Sequence, residues 1–210
     1  MEIKTFVVNP FQQNTYLVYD QTKEAILIDC GCFTEAEQNL VVQFIDDNKL
    51  VLKRLINTHL HLDHQFGNKF IFEKYGIKAE ANVEDEFLLK SVSSQAASFG
   101  IKAEDAIPLG AYINEGDVIK FGDSSFVAIH VPGHCPGHLA FYSEESKALF
   151  AGDVLFRGSI GRTDLPKGDY ATLIKSITEK LLVLPEDTVV YSGHGPTSTI
   201  GYEKVNNPYL

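Results

Sequence analysis

The chain has 210 residues, 44% of them hydrophobic, with three cysteines and a formal net charge of −10, enough apolar content for one domain over residues 1–210 with a sizeable core. The acidic balance, with no basic stripe against it, argues against a nucleic-acid partner, and three cysteines are too few for a disulfide framework. The N-terminus has no leader-like basic and apolar pattern and no apolar run reaches membrane-spanning length, so a soluble cytoplasmic protein acting on a small molecule, without a membrane partner, is expected.

The first elements are short strands, Lys4 to Val8, Thr15 to Tyr19 and Ala25 to Asp29, separated by turn residues such as Asn9-Pro10 and Asp20-Gln21, which suggests an antiparallel sheet. Thr34 followed by Glu37 reads as a capping box opening a helix to Asn48, with Leu40, Val41, Phe44 and Ile45 on one face. A strand from Lys53 to Asn57 follows, then a short helix from Phe70 to Tyr75 ending near Gly76, and a longer one from Val83 to Phe99 whose Phe87, Leu88 and Ser91 face either a pocket or the core.

The strand ending at Asn57 delivers the densest chemistry in the chain, His59-Leu60-His61-Leu62-Asp63-His64. In extended backbone alternate side chains point the same way, so His59 and His61 can reach one ion together. That spacing separates the cluster from helical zinc signatures, which need ligands three or four apart. Asp63 and His64 fall where the chain turns toward the next helix, and they point to a second ion beside the first. Neutral imidazoles with a carboxylate form a transition-metal donor set.

The second half has strands at Val118 to Phe121, Phe126 to Val131, Leu139 to Tyr142 and Ala148 to Ala151, a helix from Asp169 to about Leu182 with Leu173, Ile174, Ile177 and Leu181 as its buried stripe, and a strand from Thr188 to Tyr191. Three more ligand-type residues end strands here: His134 after Val131-Pro132-Gly133, Asp153 after Gly152, and His194 after Gly193. Glycine beside each lets backbone pass close to an ion. Pattern alone gives a mixed α/β chain.

These motifs, in this order, resemble the metallo-β-lactamase superfamily. The resemblance implies an α/β (α+β) fold, a four-layer αβ/βα sandwich. It also implies a dinuclear centre: His59, His61 and His134 on one metal, Asp63, His64 and His194 on the other, and Asp153 bridging. The ions would be divalent, zinc foremost with iron or manganese as candidates, and the reaction hydrolysis by a bridging hydroxide that Asp63 orients. Phe156-Arg157-Gly158-Ser159-Ile160-Gly161-Arg162-Thr163-Asp164-Leu165-Pro166 and the tail from Gly193 through Asn206-Asn207-Pro208-Tyr209-Leu210 look like short bacterial hydrolases related to glyoxalase II, which implies a thioester or ester substrate. Full-length glyoxalase II carries a further C-terminal helical domain for glutathione, so weak glutathione selectivity is expected. The alternative within the resemblance is a persulfide dioxygenase with one iron on His59, His134 and Asp153, and a non-catalytic metal-binding protein is the third reading.

Other residues carry weaker signals. His138 is expected to stand behind the ligands or in the core, and His130 to pack. Arg162 and Asp164 either read an anionic substrate or pair with each other. Cys30 and Cys32 are expected to be buried thiols at a strand end rather than ligands.

Overall fold

The computed structural model describes residues 1–210, which form two compact units: Met1–Tyr112 with Lys120–Ser124, and Ile113–Ile119 with Ser125–Leu210. In the first unit, strands β1 (Glu2–Val8), β2 (Gln13–Tyr19) and β3 (Glu24–Ile28) pair antiparallel, as the turn residues between them suggest. The sheet then continues in parallel through β4 (Val51–Ile56), β5 (Ala79–Ala81) and β6 (Ala111–Tyr112) in that order. A parallel step needs a crossover, and helix α1 (Glu35–Asp47) supplies it between β3 and β4. Thr34 caps α1 by accepting from the Glu37 N–H while the Glu37 carboxylate accepts from the Thr34 N–H at 2.8 Å. Val41 and Ile45 of α1 join Phe6, Leu17, Leu27 and Leu52 in the core of this unit.

Cys30 and Cys32 follow β3 inside that core, fully buried. The hydrogen bond with Cys30, and then burial, push the Cys32 thiol far above its ordinary range, so it stays protonated and packs as a small apolar group.

After β4 come a single helical turn, α2 (Leu62–Gln65), and α3 (Asn68–Tyr75). The latter stops at Gly76, whose φ of 71° is the left-handed cap that glycine adopts without a Cβ penalty. The single helix expected over Val83 to Phe99 is two elements, a 3₁₀ segment Val83–Ser91 and α4 (Val92–Ser98). The buried positions explain the change. Asp85 and Leu88 are three apart, the repeat of a 3₁₀ turn, whereas Val92 and Ala96 are four apart. The Ser91 hydroxyl donates to the Leu88 carbonyl at the junction, a local bond that competes with the α ladder.

The second sheet runs in the order β14 (Ser198–Thr199), β13 (Val189–Ser192), β10 (Ala148–Gly152), β9 (Leu139–Ser143), β8 (Ser124–His130), β7 (Val118–Phe121). Only β10 and β13 pair in parallel. The crossover between them is α5 (Tyr170–Ser176), capped by Asp169 and prolonged by one π turn, Ile177–Leu181, rather than by regular helix as far as Leu182. Leu173, Ile177 and Leu181 bury against Ala140, Leu149, Ala151 and Val190. A separate hairpin, β11 (Leu155–Phe156) and β12 (Ser159–Ile160), follows β10, and helix α6 (Ile200–Asn206) follows β14. None of β5, β6, the hairpin and α6 has enough periodic residues to stand out in the sequence. No helix is long and apolar enough to cross a membrane.

Candidate metal centre

The parallel register pairs Ile28 with Ile56, so β3 and β4 end level and their following residues meet at one sheet edge, where α/β folds place sites. Asp29 leaves β3 in the left-handed region with φ of 52°. This turns its carboxylate onto the segment after β4: Oδ1 accepts from the Thr58 N–H at 2.7 Å and the Asn57 amide at 3.3 Å, and Oδ2 accepts from the Thr58 hydroxyl at 2.6 Å and His64 Nδ1 at 3.0 Å.

That network sets two histidine tautomers. The single Thr58 hydroxyl proton goes to Asp29, so Thr58 Oγ1 accepts from His59 Nδ1, 3.0 Å away. His64 donates its Nδ1–H to Asp29 directly. Both rings therefore present Nε2 as the coordinating atom, the arrangement by which a backing acceptor orients a ligand. His59 and His64 are fully buried with ring centroids 4.1 Å apart, and His59 and His61 have theirs at 4.8 Å. Asp63 Oδ2 lies 3.7 Å from His64 Nε2, too far for a hydrogen bond and close to the edge, about 3.3 Å, that separates two ligands of one tetrahedral ion. Although Asp29 lies near His59 and His64, its four donors make it a support for ligands rather than a ligand. The Asn9 amide completes the frame by donating to the Asp63 carbonyl at 2.9 Å and the Gly31 carbonyl at 3.0 Å.

In the second unit the three expected ligands gather at the ends of β8, β10 and β13. His134 follows a turn at Gly133, whose φ is 134° and where any Cβ would overlap the Leu173 backbone; only glycine lets this turn approach α5. His134 Nδ1 donates to the Arg162 carbonyl at 2.7 Å, so it too presents Nε2. Asp153 Oδ2 stands 3.9 Å from His134 Nε2 and 3.6 Å from His194 Nε2, one carboxylate oxygen facing two imidazole nitrogens beyond hydrogen-bond reach. The Asp153 N–H donates to His138 Nε2 at 3.0 Å, so buried His138 is neutral and stands behind the carboxylate. His130 Nε2 is tied to the Pro136 carbonyl at 2.7 Å.

Phe156, Arg157, Ser159 and Arg162 line a cavity of about 450 Å³ with His134, Asp153 and His194. Arg162 grips Asp164 through two bonds of 2.6 and 2.7 Å, and its guanidinium holds the Asp164 carboxyl well below the usual range, at about 2. The pairing of these two residues is thus with each other. Neutral imidazoles with fixed Nδ1 atoms and converging carboxylates, in each unit, fit a borderline divalent ion. Asp29, Asn57, Thr58 and Asn9 were not legible as site residues. The one sequence signal was an acid closing the apolar run Ala25 to Ile28 just ahead of a glycine turn.

The sequence profile of the Metallo-beta-lactamase superfamily matches residues 8–194. The chain belongs to this superfamily. Among its relatives, a protein of Haemophilus influenzae named hydroxyacylglutathione hydrolase GloC is 44% identical over 212 aligned residues, 100% of this chain and 98% of that protein. Among solved structures, the BLEG-1 B3 metallo-beta-lactamase is 33% identical with a TM-score of 0.91 over 100% of this chain and 99% of its own. TTHA1623, crystallised in a di-iron-bound form, is 35% identical with a TM-score of 0.87 over 99% and 100%. The chain thus has the mixed α/β metallo-beta-lactamase fold that its motifs imply, with sheets flanked by helices, and it carries the His and Asp residues that can hold metal in this metallo-hydrolase superfamily.

Proposed function

We propose that the protein is a dinuclear metal-dependent hydrolase of thioesters or esters, of the hydroxyacylglutathione hydrolase type. His59, His61 and His134 would hold one ion, Asp63, His64 and His194 the other, and Asp153 both. The observation that carries this reading is the position of Asp153 Oδ2 between His134 Nε2 and His194 Nε2, which suits a carboxylate shared by two ions. The order of the seven residues along the chain, the 44% identical relative and the di-iron form of TTHA1623 support it. Zinc, iron and manganese all suit this nitrogen and oxygen donor set.

Two such ions, when bound, lower the pKa of water toward neutrality and polarise a carbonyl. The chain's own residues do the rest. Asp63, held through its backbone by Asn9, would orient the attacking water and take its proton. The imidazoles of His59, His64 and His134 present Nε2 because Thr58, Asp29 and the Arg162 carbonyl engage their Nδ1–H groups. Phe156 and Ser159 offer an apolar and a polar wall for the acyl group beside Asp153.

The test is thiol release from a hydroxyacylglutathione by protein stripped of metal and reloaded with zinc, iron or manganese. Turnover should vanish on stripping and return on reloading. Absence of thiol release with all three metals would sink the proposal.

A further inference from the structure

We propose that Arg157 recognises the anionic end of the substrate, and that helix α6 holds it in place through Tyr202 and Glu203. The proposal rests on the hydrolase reading and names the class of thiol carrier, a carboxylate-bearing thiol.

Two arginines line the cavity beside His134, Asp153 and His194. Arg162 is already neutralised by its two bonds to Asp164. Arg157 instead lies with its guanidinium carbon 5.0 Å from the centre of the Tyr202 ring. A guanidinium held over a ring by a cation–π contact keeps N–H donors available to grip a carboxylate. In a chain of net charge −10, a local cation is what lets an anion approach such a cavity.

The hairpin that carries Arg157 does not hold itself. Its loop is the pair Arg157-Gly158, between Phe156 and Ser159. Gly158 has φ of 68°, while Arg157 is not among the residues of positive φ. A turn with only its second central residue left-handed is type II, whose twist splays a two-residue hairpin, and two short strands alone are marginal. The missing support comes from fully buried Glu203 on α6. Its Oε2 accepts from the Gly158 N–H at 3.0 Å and the Asn207 amide at 2.8 Å, and its Oε1 accepts from the Ser198 hydroxyl. Asn207 also donates to the Ser159 carbonyl at 3.0 Å. This clamp accounts for the tail from Ser198 to Asn207, which the metal ligands leave unexplained.

The experiment compares Arg157→Gln, an exposed position whose change leaves the fold intact, with Glu203→Ala and the wild type. Two measurements are made: affinity for S-methylglutathione by calorimetry, and kcat and KM for one acyl group carried on glutathione and on uncharged N-acetylcysteamine. Arg157→Gln should weaken S-methylglutathione binding and raise KM for the glutathione thioester at least about tenfold, with kcat and the N-acetylcysteamine reaction moved less than about threefold. Glu203→Ala, if folded with normal metal content, should show the same charge-selective loss. Equal effects on the two carriers, or no effect of Arg157→Gln on either measurement, would overturn the proposal. If the wild type hydrolyses no thioester, the hydrolase reading falls and calorimetry alone decides: unchanged binding in Arg157→Gln, or none in the wild type, overturns it.

Discussion

Asp29 Oδ2 accepts the Nδ1–H of His64 at 3.0 Å, and the same oxygen accepts the Thr58 hydroxyl that backs His59. One buried carboxylate therefore fixes the tautomers of two ligand-type histidines from behind.

Replacing it by an amide tests this directly. In Asp29→Asn one of the two carboxylate acceptors becomes a donor facing Thr58 or His64, so one imidazole loses its support or turns. Metal affinity measured by competition with a chelator should fall about 10- to 100-fold while the protein still folds. Wild-type affinity in this variant would mean that the ligands do not depend on Asp29.

Metal content separates dinuclear hydrolysis from a mononuclear iron dioxygenase. Elemental analysis of protein loaded to saturation should give two ions per chain. Under the dinuclear proposal Asp153→Ala should be the most damaging single ligand change, since it would remove the carboxylate common to both sites. A saturating content of one iron per chain, together with oxygen consumption on a persulfide, would favour the dioxygenase instead.

Gly161 sits against Asp153, and a Cβ there would overlap the Asp153 carbonyl oxygen and press on His134 Nδ1 at 3.4 Å. Gly161→Ala should therefore shift the Asp153 and His134 backbones together, costing on the order of 1–3 kcal/mol in urea unfolding and lowering metal affinity. Full stability and affinity in this variant would show that the loop yields without moving the ligands.

Thr34→Ala supplies the contrasting case. It removes the hydroxyl cap of α1 but keeps Glu37, whose carboxylate accepts from the Asn9 N–H at 2.7 Å, and should cost about 1 kcal/mol of stability with kcat unchanged. A marked loss of turnover would show that α1 transmits to the metal ligands.

The ligand-type residues and the main strands are readable because their signals are local: a motif of alternating histidines, Gly-Asp and Gly-His at strand ends, and apolar runs bounded by turns. Thr34 and Glu37 likewise announce α1 within four positions. The supports were not readable, because their partners are distant in sequence. Asp29 meets His64, 35 residues on, and Glu203 meets Gly158, 45 residues back. Elements of two or three residues such as β5 and β14 arise from pairing alone and leave no periodicity behind. The break at Ser91 is not legible in the sequence because the apolar and polar residues around it suit either helix type until burial chooses between a repeat of three and one of four.

The three cysteines, all buried, bear on how the molecule can be handled. Modification of a cysteine requires an accessible thiolate, and Cys32 in particular is held as a thiol within the core of the first unit. The folded chain should thus be silent to maleimides, and each cysteine that becomes labelled marks an opening of the core around it. Cys30 and Cys32 report on the first unit and Cys135 on the second, so labelling rates read at these positions can rank the stability of the two units without any added probe.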